Sequence, residues 1–367
     1  MKRFHINQFT GLILEICVAK TLGNLLIFTR NQTIMRASII HNYILLVGLI
    51  VGIWFSHNIL SISNGLYKST YIKEFLIGNK NAKVDETNVI NIPLIRAGKL
   101  LLIEAKIDDQ IGNLVFDTGA EGIVLNSTYF RDYVKNESHP SQGVNGFVGT
   151  VENITVDNID IGDLAFRSIR ADLIELGHIE NSKGIKILGL FGFNYLRNYE
   201  VVIDVNNSQL TLIKLDKKGN RIANNKELFK ADKIEPISES HNIVFFSGEI
   251  ANNKVKFCLD TGAEISSISS SLPKGILNTI SITRRIKLMG AGSTKREVLY
   301  GIINDFKFSN INCSGMETIL TNLSSLETVY STQFGGVVGF DFLKQGVFSI
   351  NIRKKQMGIC ITNTEEI

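Results

Sequence analysis

The stretch Asp117-Thr118-Gly119-Ala120-Glu121 decides the fold, because the same five residues return at Asp260-Thr261-Gly262-Ala263-Glu264. Each copy closes a hydrophobic run, Leu114-Val115-Phe116 before the first and Phe257-Cys258-Leu259 before the second. A strand ending in an acid, a small hydroxyl residue and a glycine presents one carboxylate from a rigid support. The glycine permits a close backbone approach that any Cβ would block. Asp-Thr-Gly arises by chance at roughly one position in several thousand, so two copies extended identically by Ala-Glu point to an internal repeat.

The repeat extends beyond the motif. At the 143-residue offset between Asp117 and Asp260, Leu101-Leu102-Ile103 falls on Val244-Phe245-Phe246, and Ile107 falls on Ile250. Asp109-Gln110 meets the equally turn-like Asn252-Asn253, and Leu125 meets Ile268. A second block follows at an offset of 147. Gly189-Leu190-Phe191-Gly192-Phe193-Asn194-Tyr195-Leu196 aligns with Gly336-Val337-Val338-Gly339-Phe340-Asp341-Phe342-Leu343. Val201-Val202-Ile203-Asp204-Val205 then aligns with Phe348-Ser349-Ile350-Asn351-Ile352 without a gap. Duplication of a whole lobe accounts for both blocks, with a small insertion between them in the second copy.

Composition agrees with a globular β protein. Hydrophobic residues make up 44% and charged residues 20%, with 31 Gly but only 4 Pro. Short apolar runs cut by Asn, Asp and Gly favour an all-β fold with short helices and tight turns. The first 55 residues differ, carrying Lys2, Arg3, Lys20, Arg30 and Arg36 against Glu15 alone. The chain's net charge of +4 therefore resides in this leader. The balanced remainder argues against a nucleic-acid partner, which calls for a basic face on the folded part.

Within the leader, Tyr43 to Phe55 is free of charge and Ile39-Ile40 extends it. Such a segment, about residues 39–56, is a signal-peptide core or an N-terminal hydrophobic helix spanning a membrane. The absence of a small-x-small site after Trp54-Phe55 favours an uncleaved anchor. A buried helix of the fold is the bland alternative, and Met35 is a second possible start. The expected organisation is a leader over 1–56, a connecting segment over 57–94, a first lobe over 95–214, a linker over 215–236 and a second lobe over 237–361. The lobes are expected outside the cytoplasm, membrane-anchored or secreted.

Other chemistries lack their signatures. No Cys-x-x-Cys or His-Glu-x-x-His occurs, so no metal and no cofactor is expected, and no Gly-x-Ser-x-Gly elbow supports a serine nucleophile. Gly290-Ala291-Gly292-Ser293 lacks the downstream Gly-Lys of a phosphate loop and reads as a hairpin tip. Cys258 reads as a buried small hydrophobe. Whether Cys313 and Cys360 pair is left open by the sequence.

An Asp-Thr-Gly-Ala motif followed some 75 residues later by an apolar-apolar-Gly block resembles the aspartic peptidases of the retropepsin and pepsin type. The likeness is greatest to the bacterial retropepsin-like enzymes. It extends over about residues 95 to 361. The resemblance implies two tandem retropepsin-like β-barrel lobes with Asp117 and Asp260 as the catalytic carboxylates. Thr118 and Thr261 would clasp the two loops, with Gly119, Ala120, Gly262 and Ala263 completing the active-site turns. Phe191-Gly192 and Val338-Gly339 would brace those turns. Flap hairpins would fall at Gly143 to Gly149 and Met289 to Ser293, placing Gly146 and Gly290 over a peptide or protein substrate. Glu121 and Glu264 would either contact substrate or structure the loop. Retropepsins carry one motif per chain and dimerise, whereas two motifs here make an intramolecular pair in a monomer the expected form. An inter-chain dimer and a catalytically silent peptide-binding module remain as alternatives.

Overall fold

Strand formation begins where apolar residues start to alternate: Ile90, Ile92 and Leu94 are buried, and Asn91 and Pro93 between them are exposed. The computed structural model describes residues 88–143, 146–222, 229–289 and 295–361. All belong to one compact unit, Lys83–Ile367. The expected hydrophobic helix at about 39–56 lies outside the described residues. Among the described residues, no helix is long and apolar enough to cross a membrane.

The protein is mostly β. Through the first motif the strands are β1 (Val89–Pro93), β2 (Ile95–Ala97), β3 (Leu100–Ile107), β4 (Gln110–Asp117) and β5 (Ile123–Asn126). The longer β6 (Lys135–Gly143), β7 (Gly146–Ile161) and β8 (Leu164–Ile174) follow, then β9 (Ile187–Gly192), β10 (Tyr199–Asp204) and β11 (Gln209–Lys214). The next group is β12 (Lys233–Ser240), β13 (Ile243–Ile250), β14 (Asn253–Leu259), β15 (Ser266–Ser269), β16 (Ile280–Met289) and β17 (Lys295–Ile303). The last are β18 (Phe306–Phe308), β19 (Ile311–Asn312), β20 (Met316–Thr321), β21 (Gly336–Val338), β22 (Val347–Asn351) and β23 (Gln356–Cys360). Short helices punctuate them: α1 (Ser127–Phe130), α2 (Gly177–Lys183), α3 (Lys274–Leu277), α4 (Ser324–Val329) and α5 (Phe340–Leu343), with a 3-10 turn at Phe193–Leu196.

One local arrangement occurs twice. Strand β4 pairs in parallel with β9, which pairs antiparallel with β5, which pairs in parallel with β8. Strands β14, β21, β15 and β20 repeat those four relations in the same order. An additional β3–β7 pairing, with Ile107 opposite Ile159, closes the first set of strands into a barrel. Ile250 opposite Phe306 makes the corresponding contact in the second set. Edges that would otherwise recruit other chains are thereby paired.

While β2 to β9 form a separate 8-stranded sheet, strands β10, β22, β23 and β12 run side by side and join β1, β11 and β10 of the first half to the second half in one 15-stranded sheet. Two of its strands extend into segments that the sequence suggests are connections: β1 lies before Ile95, and β12 begins at Lys233. In both, the ladder supplies the fixed backbone partners, β11 for β1 and β23 for the start of β12.

The core is apolar throughout both halves, but the second is richer in aromatics. Phe342 lies 4.6 Å from Phe348 and 5.1 Å from Phe246, and Phe246 meets Phe308 edge-on at 5.2 Å, measured between ring centroids. Phe342 lies within the short helix α5 that ends the second glycine block, so the block is anchored in this aromatic cluster. Phe342→Ala is expected to destabilise the chain by about 3–5 kcal/mol through loss of buried area and the cavity left behind. Denaturant unfolding with an unchanged m-value would show it, and a loss under 1 kcal/mol would contradict this packing.

Candidate active site

Strands β4 and β14 carry the two motifs to one place. Each acid leaves its strand at a tight turn whose own backbone binds it. Gly119 N–H donates to Asp117 Oδ1 at 2.8 Å, and Gly262 N–H donates to Asp260 Oδ1 at 2.9 Å. The glycines are required by proximity. A Cβ on Gly119 would stand 2.6 Å from Asp260 Cγ, and one on Gly262 would stand 2.8 Å from Asp117 Cγ. Each motif's glycine thus faces the other motif's acid, which brings the two carboxyls together.

Beneath them the two threonines interlock. Thr118 N–H donates to Thr261 Oγ1 at 2.9 Å, and Thr261 N–H donates to Thr118 Oγ1 at 3.0 Å. Each hydroxyl then donates its proton across the junction, Thr118 to the Leu259 carbonyl at 2.8 Å and Thr261 to the Phe116 carbonyl at 2.6 Å. Both side chains are fully buried. A hydroxyl that accepts one bond and donates another leaves no buried polar group unmatched.

The glycine blocks brace the turns from below. Gly192 stands opposite Asp117 in the β4–β9 ladder, and its N–H donates to the Gly122 carbonyl at 3.0 Å. Asp260 N–H donates to Val338 O at 2.9 Å, and Phe340 N–H donates to Ala263 O at 3.0 Å. At Gly339 a Cβ would lie 2.0 Å from the Ala263 carbonyl oxygen, so only glycine fits.

Both acids keep part of their surface open to the cleft, yet surrounding atoms crowd their carboxyls. Desolvation raises the pKa of Asp117 well above the ordinary aspartate value, and the Asp260 charge adds to it. Desolvation also raises Asp260, against the opposing hydrogen bond from Asp117. Cys258, directly before Leu259, is buried, and its thiol is pushed far up by burial and by the two acids. It is an inert filler, since only a thiolate is nucleophilic. Cys313 and Cys360 are free thiols, not bonded to each other.

The remaining expected site residues are placed unequally. Glu264 accepts from Lys183 Nζ at 2.6 Å and from Lys99 N–H at 3.4 Å, which makes it a bridge between the halves. Glu121 is exposed; burial of part of its surface raises its pKa, the His241 imidazole lowers it and Asp172 raises it. Its carbonyl accepts from Asn242 Nδ2 at 3.3 Å. Gly146 opens β7 opposite Gly143 in the first hairpin. Strands β16 and β17 form the matching hairpin, while Gly290 lies outside the described residues.

Several neighbours of the motifs escape motif reading. Lys99 Nζ reaches Glu317 at 2.7 Å and the buried Asp341 at 3.0 Å, and Arg96 lies over the Phe340 ring. Tyr330 places its hydroxyl 3.4 Å from the Gly119 carbonyl. The repeat offsets were the available signal: 143 relates the Gly98-Lys99 turn to the His241-Asn242 turn, and 147 relates Lys183 to Tyr330. Among the described residues, no group of three His, Cys, Asp or Glu side chains could hold a metal ion.

A family model described as aspartyl protease matches residues 103–195, which run from β3 through the first motif to the first glycine block. No curated protein matches the chain. The match supports a protein of the aspartyl protease class and aspartic-type peptidase activity.

Thr118→Val would strand the Thr261 N–H and the Leu259 carbonyl in a dry junction. It is expected to cost about 2–4 kcal/mol in denaturant unfolding. Thr261→Val should cost a similar amount, and the double variant less than the sum, because the two side chains form one network. Additive losses would mean that the two threonines act independently.

Proposed function

We propose that the chain is an aspartic endopeptidase made of two tandem acid-protease lobes, about 95–214 and 237–361, joined by the segment between them. Asp117 and Asp260 form its catalytic pair. The observation that carries this reading is the adjacency of the two carboxyls, each bound by its own motif glycine and crowded by the other's. The aspartyl protease match over the first motif supports it.

The chemistry follows from one shared proton. Two acids in contact within a poorly hydrated floor resist double ionisation, and the handed-over proton leaves one carboxylate and one carboxylic acid. The carboxylate removes a proton from a water molecule while the acid polarises the substrate carbonyl. Water attack gives a tetrahedral gem-diol, and return of the proton to the departing nitrogen completes hydrolysis. No covalent enzyme intermediate forms, and the step needs no metal or cofactor.

Peptide or protein would bind extended beneath the β6–β7 and β16–β17 hairpins, adding main-chain hydrogen bonds as a strand does. Gly146 belongs to the first of those hairpins. Glu121, exposed beside the first motif, is the substrate-facing member of the glutamate pair, and Glu264 is a structural one. Because both acids come from one chain, a monomer suffices. The charge-free segment at about 39–56 would tether the enzyme to a membrane with its lobes outside the cytoplasm.

Asp117→Asn and Asp260→Asn are each expected to fold and to lose nearly all cleavage of a quenched peptide library. A wild-type chain that cleaves nothing at any pH would mark a silent peptide-binding module. Activity per mole that falls on dilution would mark an inter-chain enzyme.

The same pair makes a stability prediction. A carboxyl whose folded pKa lies above its unfolded value contributes stability that is complete below about 3.8, the ordinary aspartate value, and lost as pH rises through the folded value. Asp117→Asn removes that dependence. Relative to wild type, the variant should therefore gain stability between pH 4 and pH 7, read from denaturation midpoints. An identical pH dependence in the two proteins would contradict the raised pKa.

A further inference from the structure

The two positions related by the 147-residue offset both reach across to the opposite motif, but they carry different chemistry. Lys183 ends α2 and neutralises Glu264. Tyr330 follows α4 and directs its phenol to the Gly119 carbonyl. The Tyr330 ring is buried against Phe245 and Phe334, at centroid distances of 6.1 and 6.2 Å. Its own carbonyl accepts from Ser240 Oγ at 2.6 Å. Helix α4 packs on β6 of the opposite hairpin, so the residue is held from three sides.

The carbonyl that it meets belongs to the peptide unit Gly119–Ala120, whose N–H donates to the Asp117 main-chain carbonyl at 3.3 Å and so closes the motif's turn. A donor on one end of a peptide unit strengthens the donor at its other end. The bond that Tyr330 strengthens is therefore the one that closes the turn from which Asp117 projects. The charged and titratable groups around the phenol are Cys258 from β14, the two acids and Glu121.

We propose that Tyr330 is a positioning residue: its hydroxyl on the Gly119 carbonyl fixes the first motif's turn by polarising the peptide that closes it, making the two catalytic acids inequivalent. This rests on the peptidase reading above. In the repeat-related position, Lys183 spends its charge on Glu264, so the two motifs receive different help from nearly identical scaffolds.

The test is Tyr330→Phe in the full chain, which keeps the ring packing and removes only the hydroxyl. With the quenched peptide that wild type cleaves fastest, kcat should fall about fivefold, the worth of one ordinary hydrogen bond, with KM little changed. A loosened turn weakens the contact in which Asp117 and Asp260 share a proton, which raises the first ionisation of the pair, so the acidic limb of the kcat/KM profile should move to higher pH. Ser240→Ala, which frees the Tyr330 backbone while leaving the phenol, should show the same shift in smaller degree. If Tyr330→Phe fails to fold, Ser240→Ala carries the test alone. Activity and pH profile unchanged in the folded variants, with Asp117→Asn inactive, would overturn this inference and leave the peptidase intact. A wild-type chain that cleaves no peptide would remove both.

Discussion

Everything in this molecule depends on holding two carboxyl groups side by side where surrounding atoms crowd them and leave only part of each open to solvent. Like charges at such a distance repel strongly, and desolvation penalises each charge separately. The chain offsets this with donors fixed before any substrate arrives: the Gly119 and Gly262 N–H groups at the acids, and the crossed Thr118 and Thr261 bonds beneath. The threonine junction is symmetric and dry, so neither motif can move without breaking bonds on both sides. In the proposed enzyme, a pair held this rigidly relieves its repulsion by sharing a proton, and that relief is also the catalytic state, with no reorganisation needed at the moment of reaction.

Around this symmetric centre the supports have diverged. At one end Lys99 and Lys183 gather Glu264, Glu317 and Asp341 into a charge network that crosses between the halves. Burial works against the Lys99 charge, but the Glu317 and Asp341 carboxylates outweigh it and hold its pKa above the usual lysine value. At the other end His241, Asn242 and Tyr330 stand in the related places around Glu121, with no lysine among them. Duplication supplied two equal halves, and substitution at the junction made them unequal. A substrate lying across the cleft would therefore meet a neutralised glutamate on one side and an exposed one on the other.

Much of this was legible in the sequence, because duplication makes long-range contacts readable from offsets. The acids, their glycines, the threonines and the glycine blocks all follow from aligning the two motifs, and the structure brings them together. The paired hairpins at β6–β7 and β16–β17 fall where the alignment suggests flaps. What the motifs hid was set by tertiary packing. Nothing near Glu264 in the chain marks Lys183 as its partner, 81 residues away. Tyr330 lies 211 residues from the carbonyl that it reaches. Strands β1 and β12 reach into stretches that read as connections, since their partners β11 and β23 are distant in sequence. Ser266, Ser267 and Ser269 occupy buried positions in β15, and parallel pairing with β20 absorbs their backbone groups.

The most direct measurement is a titration of the two carboxyl carbons by NMR, using chain labelled with 13C at aspartate and assigned through Asp117→Asn and Asp260→Asn. The account predicts that both signals follow the same two well-separated steps, the upper one above the ordinary aspartate range, because the proton belongs to the pair. Two independent single transitions near 3.8 would contradict it.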